Sequence, residues 1–127
     1  MTKLIGLFFF YSLSLNAISQ IDTNIVVQLN KTLKNSLYKT TIEISDKGVV
    51  SRKDNNGNTF VFSLNEVANI KYVQDGFHNI MITLKKGKKI VGFVEGKNVE
   101  SNLNVIAFSI KANCDKAIEI FNNLIKK

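Results

Sequence analysis

The hydrophobic period of this chain changes twice, and each change limits what the polypeptide can fold into. Across residues 22–37 the apolar side chains Ile25, Leu29, Leu33 and Leu37 recur every four positions, with Val26 beside them. That spacing predicts one helical face, and Asp22, Thr23 and Asn24 offer capping side chains at its start. Lys31 and Lys34 fall away from that face. From Thr40 the pattern becomes short β-like runs punctuated by turn residues. From Cys114 the helical spacing returns through Ile118, Phe121 and Ile125, widened by Ala117 and Leu124. This predicts a closing amphipathic helix that must dock on something apolar. Asn113 is placed to cap it, Asp115 suits the positive end of its dipole, and Lys126 and Lys127 suit the negative end.

The middle stretch holds seven runs, at 40–44, 49–53, 59–63, 68–73, 79–84, 90–94 and 104–110. Asp46-Lys47-Gly48, the Asn-rich segment 54–58 and Gln74-Asp75-Gly76 supply turns, because Gly and Asn tolerate positive φ. Residues 64–67 read as a bend or single helical turn, and the polar stretch 95–102 reads as a bridge to the last run. No Pro occurs, and no Gly/Ser-rich linker interrupts the sequence. The chain therefore reads as one domain.

The amino terminus carries an address. Lys3 precedes an apolar run, 4–15, centred on Phe8, Phe9 and Phe10, and Ala17-Ile18-Ser19 closes it with small residues where a signal peptidase reads. This is the layout of a secretory signal peptide over residues 1–19. The run is about a dozen residues, short of the roughly 20 that a membrane-spanning helix needs. The expectation is an exported protein, secreted or periplasmic, with no transmembrane segment in the mature chain. Its domain covers 20–127, divided into a helical part at 20–39 and a β-rich part with a closing helix at 40–127.

Charge and cysteine use narrow the partners. The whole chain carries +7, and Lys3 is the one charged residue of the leader, so the mature domain carries +6. Its basic residues are Lys apart from Arg52. Readers of nucleic acid favour the planar fork of Arg, so no nucleic-acid partner is expected. A spread of Lys reads first as a solvated surface. Cys114 stands alone, so no internal disulfide can form. It reads as a buried small hydrophobe, with an intermolecular disulfide as the other use.

Seven runs at this spacing, followed by one amphipathic helix, indicate a sandwich or barrel. The order resembles the pleckstrin-homology-like superfold, most tellingly in Val67-Ala68-Asn69-Ile70-Lys71-Tyr72, Asn79-Ile80-Met81-Ile82, Gly87-Lys88-Lys89-Ile90 and the closing helix. The resemblance covers residues 40–127. It implies a mainly β, α+β domain: a seven-stranded antiparallel barrel or sandwich with the C-terminal helix capping an open corner and the N-terminal helix as an addition. The turn Ser45-Asp46-Lys47-Gly48 departs from the long basic loop of lipid-binding members. The Trp often found in the closing helix is absent, and Phe121 stands ready for its packing role. The alternative fold is a cystatin-like α+β roll, with one helix lying across an antiparallel sheet.

Catalytic signals are sparse. His78 lies alone in a turn, far in sequence from Cys114, so neither a metal site nor a nucleophile–base pair is indicated. Glu95 and Glu100 flank a polar loop. Gly48, Gly57, Gly76 and Gly87 sit singly in turns and form no phosphate cradle. No catalytic residue, metal or cofactor is expected. The one concentrated feature is the tip formed by Lys85, Lys86, Lys88 and Lys89 around Gly87. It reads either as a solvated turn that discourages edge pairing or as a contact for phosphate, acidic polysaccharide, an anionic surface or an acidic protein. Asn30-Lys31-Thr32 matches a glycosylation acceptor. The functional expectation is a non-catalytic binding or interaction module. A carrier of a small apolar ligand held between sheet and helix is the alternative, and a small enzyme ranks third.

The leader makes the first prediction. Intact-mass measurement of exported protein should show a chain starting near Gln20, whereas an exported pool that retains Met1 would contradict the signal-peptide reading.

Overall fold

The computed structural model describes residues 21–125. The leader with its cleavage boundary, and Lys126 and Lys127, lie outside the described residues. Helix α1 is Thr23–Leu33. Strands β1 (Thr41–Ile44), β2 (Val49–Lys53) and β3 (Thr59–Ser63) follow, then a 3-10 turn at Leu64–Glu66. Strands β4 (Val67–Asp75), β5 (Phe77–Leu84), β6 (Ile90–Val94), β7 (Lys97–Ser101) and β8 (Leu103–Phe108) lead to helix α2 (Lys111–Ile125).

The expected seven-stranded barrel does not form. Eight strands make two separate, unclosed antiparallel sheets, ordered β1-β2-β3-β6-β7 and β4-β5-β8. The 3-10 turn carries the chain out of the first sheet after β3, so β6 takes the place beside β3. The eighth strand, β7, lies in the stretch expected to be a bridge. Its residues are exposed throughout, so it shows no apolar alternation. It forms because Glu95 and Gly96, at φ 51° and 79°, make a two-residue reversal whose twist suits a hairpin. The single-helix roll is excluded as well. Helices α1 and α2 pack on each other, α2 lies on β4, β5 and β8, and α1 meets β1. The result is a small mixed α+β domain of two sheets with flanking helices.

Local chemistry sets the helix ends. The Asp22 carboxylate accepts from the backbone N–H groups of Asn24 and Ile25 at 2.9 and 3.4 Å, as a helix cap should. The helix stops at Leu33 instead of continuing to Leu37. The Leu37 N–H donates to the Ala107 carbonyl of β8 at 2.9 Å, and the Ser36 hydroxyl donates to the Leu33 carbonyl at 2.6 Å. Helix α2 begins at Lys111, ahead of the start that a cap at Asn113 requires, and a Lys111–Asp115 ion pair of 2.7 Å braces its first turn.

One continuous cluster of buried side chains joins both sheets and both helices. Leu29 and Leu33 of α1, Ile42, Val50 and Phe62 of the first sheet, Ile80, Ile82, Ile106 and Phe108 of the second, and Cys114, Ala117 and Phe121 of α2 all belong to it. Cys114 is thus a buried free thiol, not a surface group for intermolecular bonding. Burial pushes its pKa up to about 11, which suits a packing role.

Two polar devices occupy sheet edges. Asn30 of α1 meets the edge of β1: its Oδ1 accepts from the Ile42 N–H at 2.7 Å and its Nδ2 donates to the Ile42 carbonyl at 2.8 Å. The side chain imitates a neighbouring strand and blocks pairing there. Nδ2, the atom a glycan would need, is engaged in this pair in the folded domain. The second device is Arg52 of β2, only 4% exposed. Its Nη1 donates to the Asn104 side-chain oxygen and, at 3.1 Å, to the Val105 carbonyl, both on β8 of the other sheet. Its guanidinium lies 4.9 Å from the centre of the Phe60 ring. Phe60 can lie there because residue 92 is Gly: a Cβ would come within 2.9 Å of the Phe60 ring and 2.8 Å of Val99.

Phe121, 0% exposed, anchors α2 in the shared cluster. Phe121→Ala should lower unfolding stability by about 3–5 kcal/mol in chemical denaturation, the range for truncating a buried aromatic. An unchanged denaturation midpoint would show α2 to be peripheral.

Candidate functional site

The basic tip forms as one exposed turn between β5 and β6. Lys85 donates its backbone N–H to the Glu66 carbonyl at 2.8 Å, and the Lys88 N–H closes the turn onto the Lys85 carbonyl at 3.0 Å. Lys88 Nζ also lies 3.5 Å from the Glu66 carboxylate. The structure therefore brings Lys85, Lys86, Lys88 and Lys89 together, but Glu66 on the 3-10 turn offsets part of their charge. All five residues of the turn face solvent.

The isolated chemical groups stay apart in function. His78 Nδ1 lies 2.6 Å from the Tyr72 hydroxyl, and the two rings stack with centroids 5.9 Å apart. Lys111 Nζ sits 4.8 Å from the Tyr72 ring centre on the way to Asp115. This is a packed polar seam between β4, β5 and the start of α2. Glu95 sits in the β6–β7 reversal and Glu100 on β7 opposite Val91, so no carboxylate pair is built. Among the described residues no group of three or more His, Cys, Asp or Glu side chains is placed to hold a metal ion. No helix among them is long and apolar enough to cross a membrane.

A different cationic site emerges beside β1. A groove of about 520 Å³ runs between α1 and the start of β1, lined by Val27, Asn30, Lys31, Lys34, Lys39 and Thr41. Its geometry follows from the sequence in steps. Val27, Lys31 and Lys34 are spaced by four and three, so they share the face of α1 opposite the core. The Asn30–Ile42 pair fixes the helix against the strand edge and so fixes the groove width. After the helix, Ser36 organises the reversal: its hydroxyl also accepts from the Thr40 N–H at 2.9 Å. Lys39 then adopts φ 48°, a left-handed conformation uncommon for a non-Gly residue, and the chain turns into β1 with Lys39 at the groove.

The electrostatics are one-sided. The described ion pairs are Lys88 with Glu66 and Lys111 with Asp115, and neither involves a groove lysine. Lys31, in the last turn of α1, complements the helix dipole. Lys34, the C-cap residue, stands at the same end of the helix, which leaves Lys39 without a local reason for its charge. The floor is apolar: Val27 is 53% exposed, and the aliphatic stems of the lysines extend that surface. The sequence signal for Lys31 and Lys34 was their position off the core face. Lys39 could not be added from spacing alone, because the reversal at 34–40 brings it in.

Comparison of the chain with protein-family models, with curated proteins and with solved structures finds no match in any of the three.

Proposed function

We propose that this protein is an exported, non-catalytic binding module that engages an anionic partner through the lysine-rimmed groove. The observation that carries the reading is the convergence of Lys31, Lys34 and Lys39 on one preformed groove without a carboxylate among its lining residues. The negative end of the α1 dipole offsets only the cations beside it and no carboxylate lies in the lining, so an anionic ligand is attracted to the rim. What remains of the pleckstrin-homology-like resemblance is the order of antiparallel strands followed by a closing helix. That order fits a scaffold presenting a surface. The polar groups with specific partners, Tyr72 with His78 and Arg52 with Asn104, are engaged within the fold, which favours binding over catalysis. Export rests on the leader. The carrier reading is favoured by one observation: the groove lies between a helix and a strand, and its floor is apolar.

Inorganic phosphate serves as a minimal anion to test the reading. In an amide-resolved NMR titration, residues of the groove should shift at lower phosphate concentration than those of the 85–89 turn. The charge reversal Lys31→Glu with Lys34→Glu should abolish the groove shifts, and added chloride salt should weaken them because exposed charges are screened. Shifts at the 85–89 turn that begin at the same or a lower phosphate concentration would overturn the assignment and return the site to Lys85, Lys86, Lys88 and Lys89.

A further inference from the structure

We infer that the groove takes a single-chain amphiphile with an anionic head, of the fatty-carboxylate class, one molecule at a time. The inference rests on the reading of the groove as an anion site and adds the chemistry of the ligand body. A bare anion has no use for the exposed side chain of Val27, which lines the groove one turn of α1 before Lys31. An acyl chain does, since each methylene it shields there adds to affinity. The stems of Lys31 and Lys34 continue that apolar strip, while their ammonium groups stand at its rim to pair with a carboxylate.

The lining argues against other anions. Nucleotides and oligonucleotides need aromatic or guanidinium platforms for base stacking, and the groove is lined by neither. Acidic glycans need a row of polar side chains for their hydroxyls. The uncharged polar groups of the lining are Asn30, whose Oδ1 and Nδ2 are both bonded to Ile42, and the single hydroxyl of Thr41, which fall short of such a row. The volume, about 520 Å³, lies within the roughly 300–1,000 Å³ of small-molecule sites. The same Asn30 pair fixes the helix against the strand edge in the free protein, so a ligand enters a groove already formed and little ordering opposes binding.

The test is a chain-length series on the mature protein, read by calorimetry and amide shifts, with acetate, octanoate, dodecanoate and dodecanol all below their micellar or solubility limits. Affinity should rise from acetate to dodecanoate by at least about tenfold, the gain from shielding only a few methylenes. Val27, Lys31, Lys39 and Thr41 should show the shifts, and dodecanol should bind far more weakly than dodecanoate. Val27→Ser should weaken dodecanoate several-fold more than it weakens acetate. Lys31→Glu with Lys34→Glu should weaken acetate and dodecanoate alike. Equal affinity for acetate and dodecanoate overturns the inference and leaves the anion site standing. Equal affinity for dodecanol and dodecanoate overturns it too, because charge then plays no part. Binding to phosphatidylglycerol vesicles with none to monomeric dodecanoate overturns it in favour of a membrane surface. If phosphate also fails to perturb the groove, the underlying site reading falls with it.

Discussion

The guanidinium of Arg52 ties together two sheets that share no strand pairing. Hydrophobic burial holds the layers in contact but does not choose their register, because it is non-directional. Arg52 adds a directional contact: a side chain on β2 reaches β8 and places two donor–acceptor contacts there, on Asn104 and on the Val105 carbonyl. The surrounding residues exist around that reach. Gly92 leaves room for Phe60, Phe60 offers its ring to the cation, and Asn104 turns an oxygen inward. Burial pulls the Arg52 pKa down to about 10, partly offset by the charge of Asp54, so the group remains cationic at neutral pH. Its Nε is buried without a hydrogen-bond partner among the described residues. A charge held this way costs desolvation energy and is a better device for specifying one arrangement than for adding stability.

Polar contacts of the same kind occupy two of the open sheet edges, those of β1 and β8. Asn30 blocks the β1 edge with a side chain that copies backbone geometry, and the Leu37 amide together with Arg52 occupies carbonyls along β8. The first of these devices also builds the groove. Pinning α1 to the β1 edge leaves Val27, Lys31 and Lys34 facing the start of that strand, where Lys39 and Thr41 complete the lining. Edge protection and site formation are two results of one hydrogen-bonded pair.

Much of the local structure was legible in the sequence because it rests on neighbours in the chain. The two helices, the turns at Gly48 and Gly57, the cap at Asp22 and the exposed basic turn all follow from periodicity or turn chemistry. What was not legible depends on distant partners. Strand β7, reading Lys-Asn-Val-Glu-Ser, carries no periodic signal and is held by its hairpin to β6. The end of α1 is set by a carbonyl far along the chain, that of Ala107 on β8, which claims the Leu37 amide. Arg52 stood out only as the lone Arg among lysines, and nothing local marked it as buried. Sheet order failed for the same reason: strand count and spacing do not say whether β4 or β6 lies beside β3. For the groove, two of three lysines were visible on the helix, and the third needed the fold.

A double-mutant cycle across the two sheets tests the role of Arg52 most directly. Asn104→Leu leaves a buried cation short of an acceptor and should cost about 2 kcal/mol in chemical denaturation, within the range for hydrogen bonds to charged groups. On the background of Arg52→Met the same substitution should cost far less, because the charge that required the acceptor is gone, and the double variant should be more stable than Asn104→Leu alone. Identical costs on the two backgrounds would mean that the residues do not couple, and that something other than this buried guanidinium sets how the sheets meet.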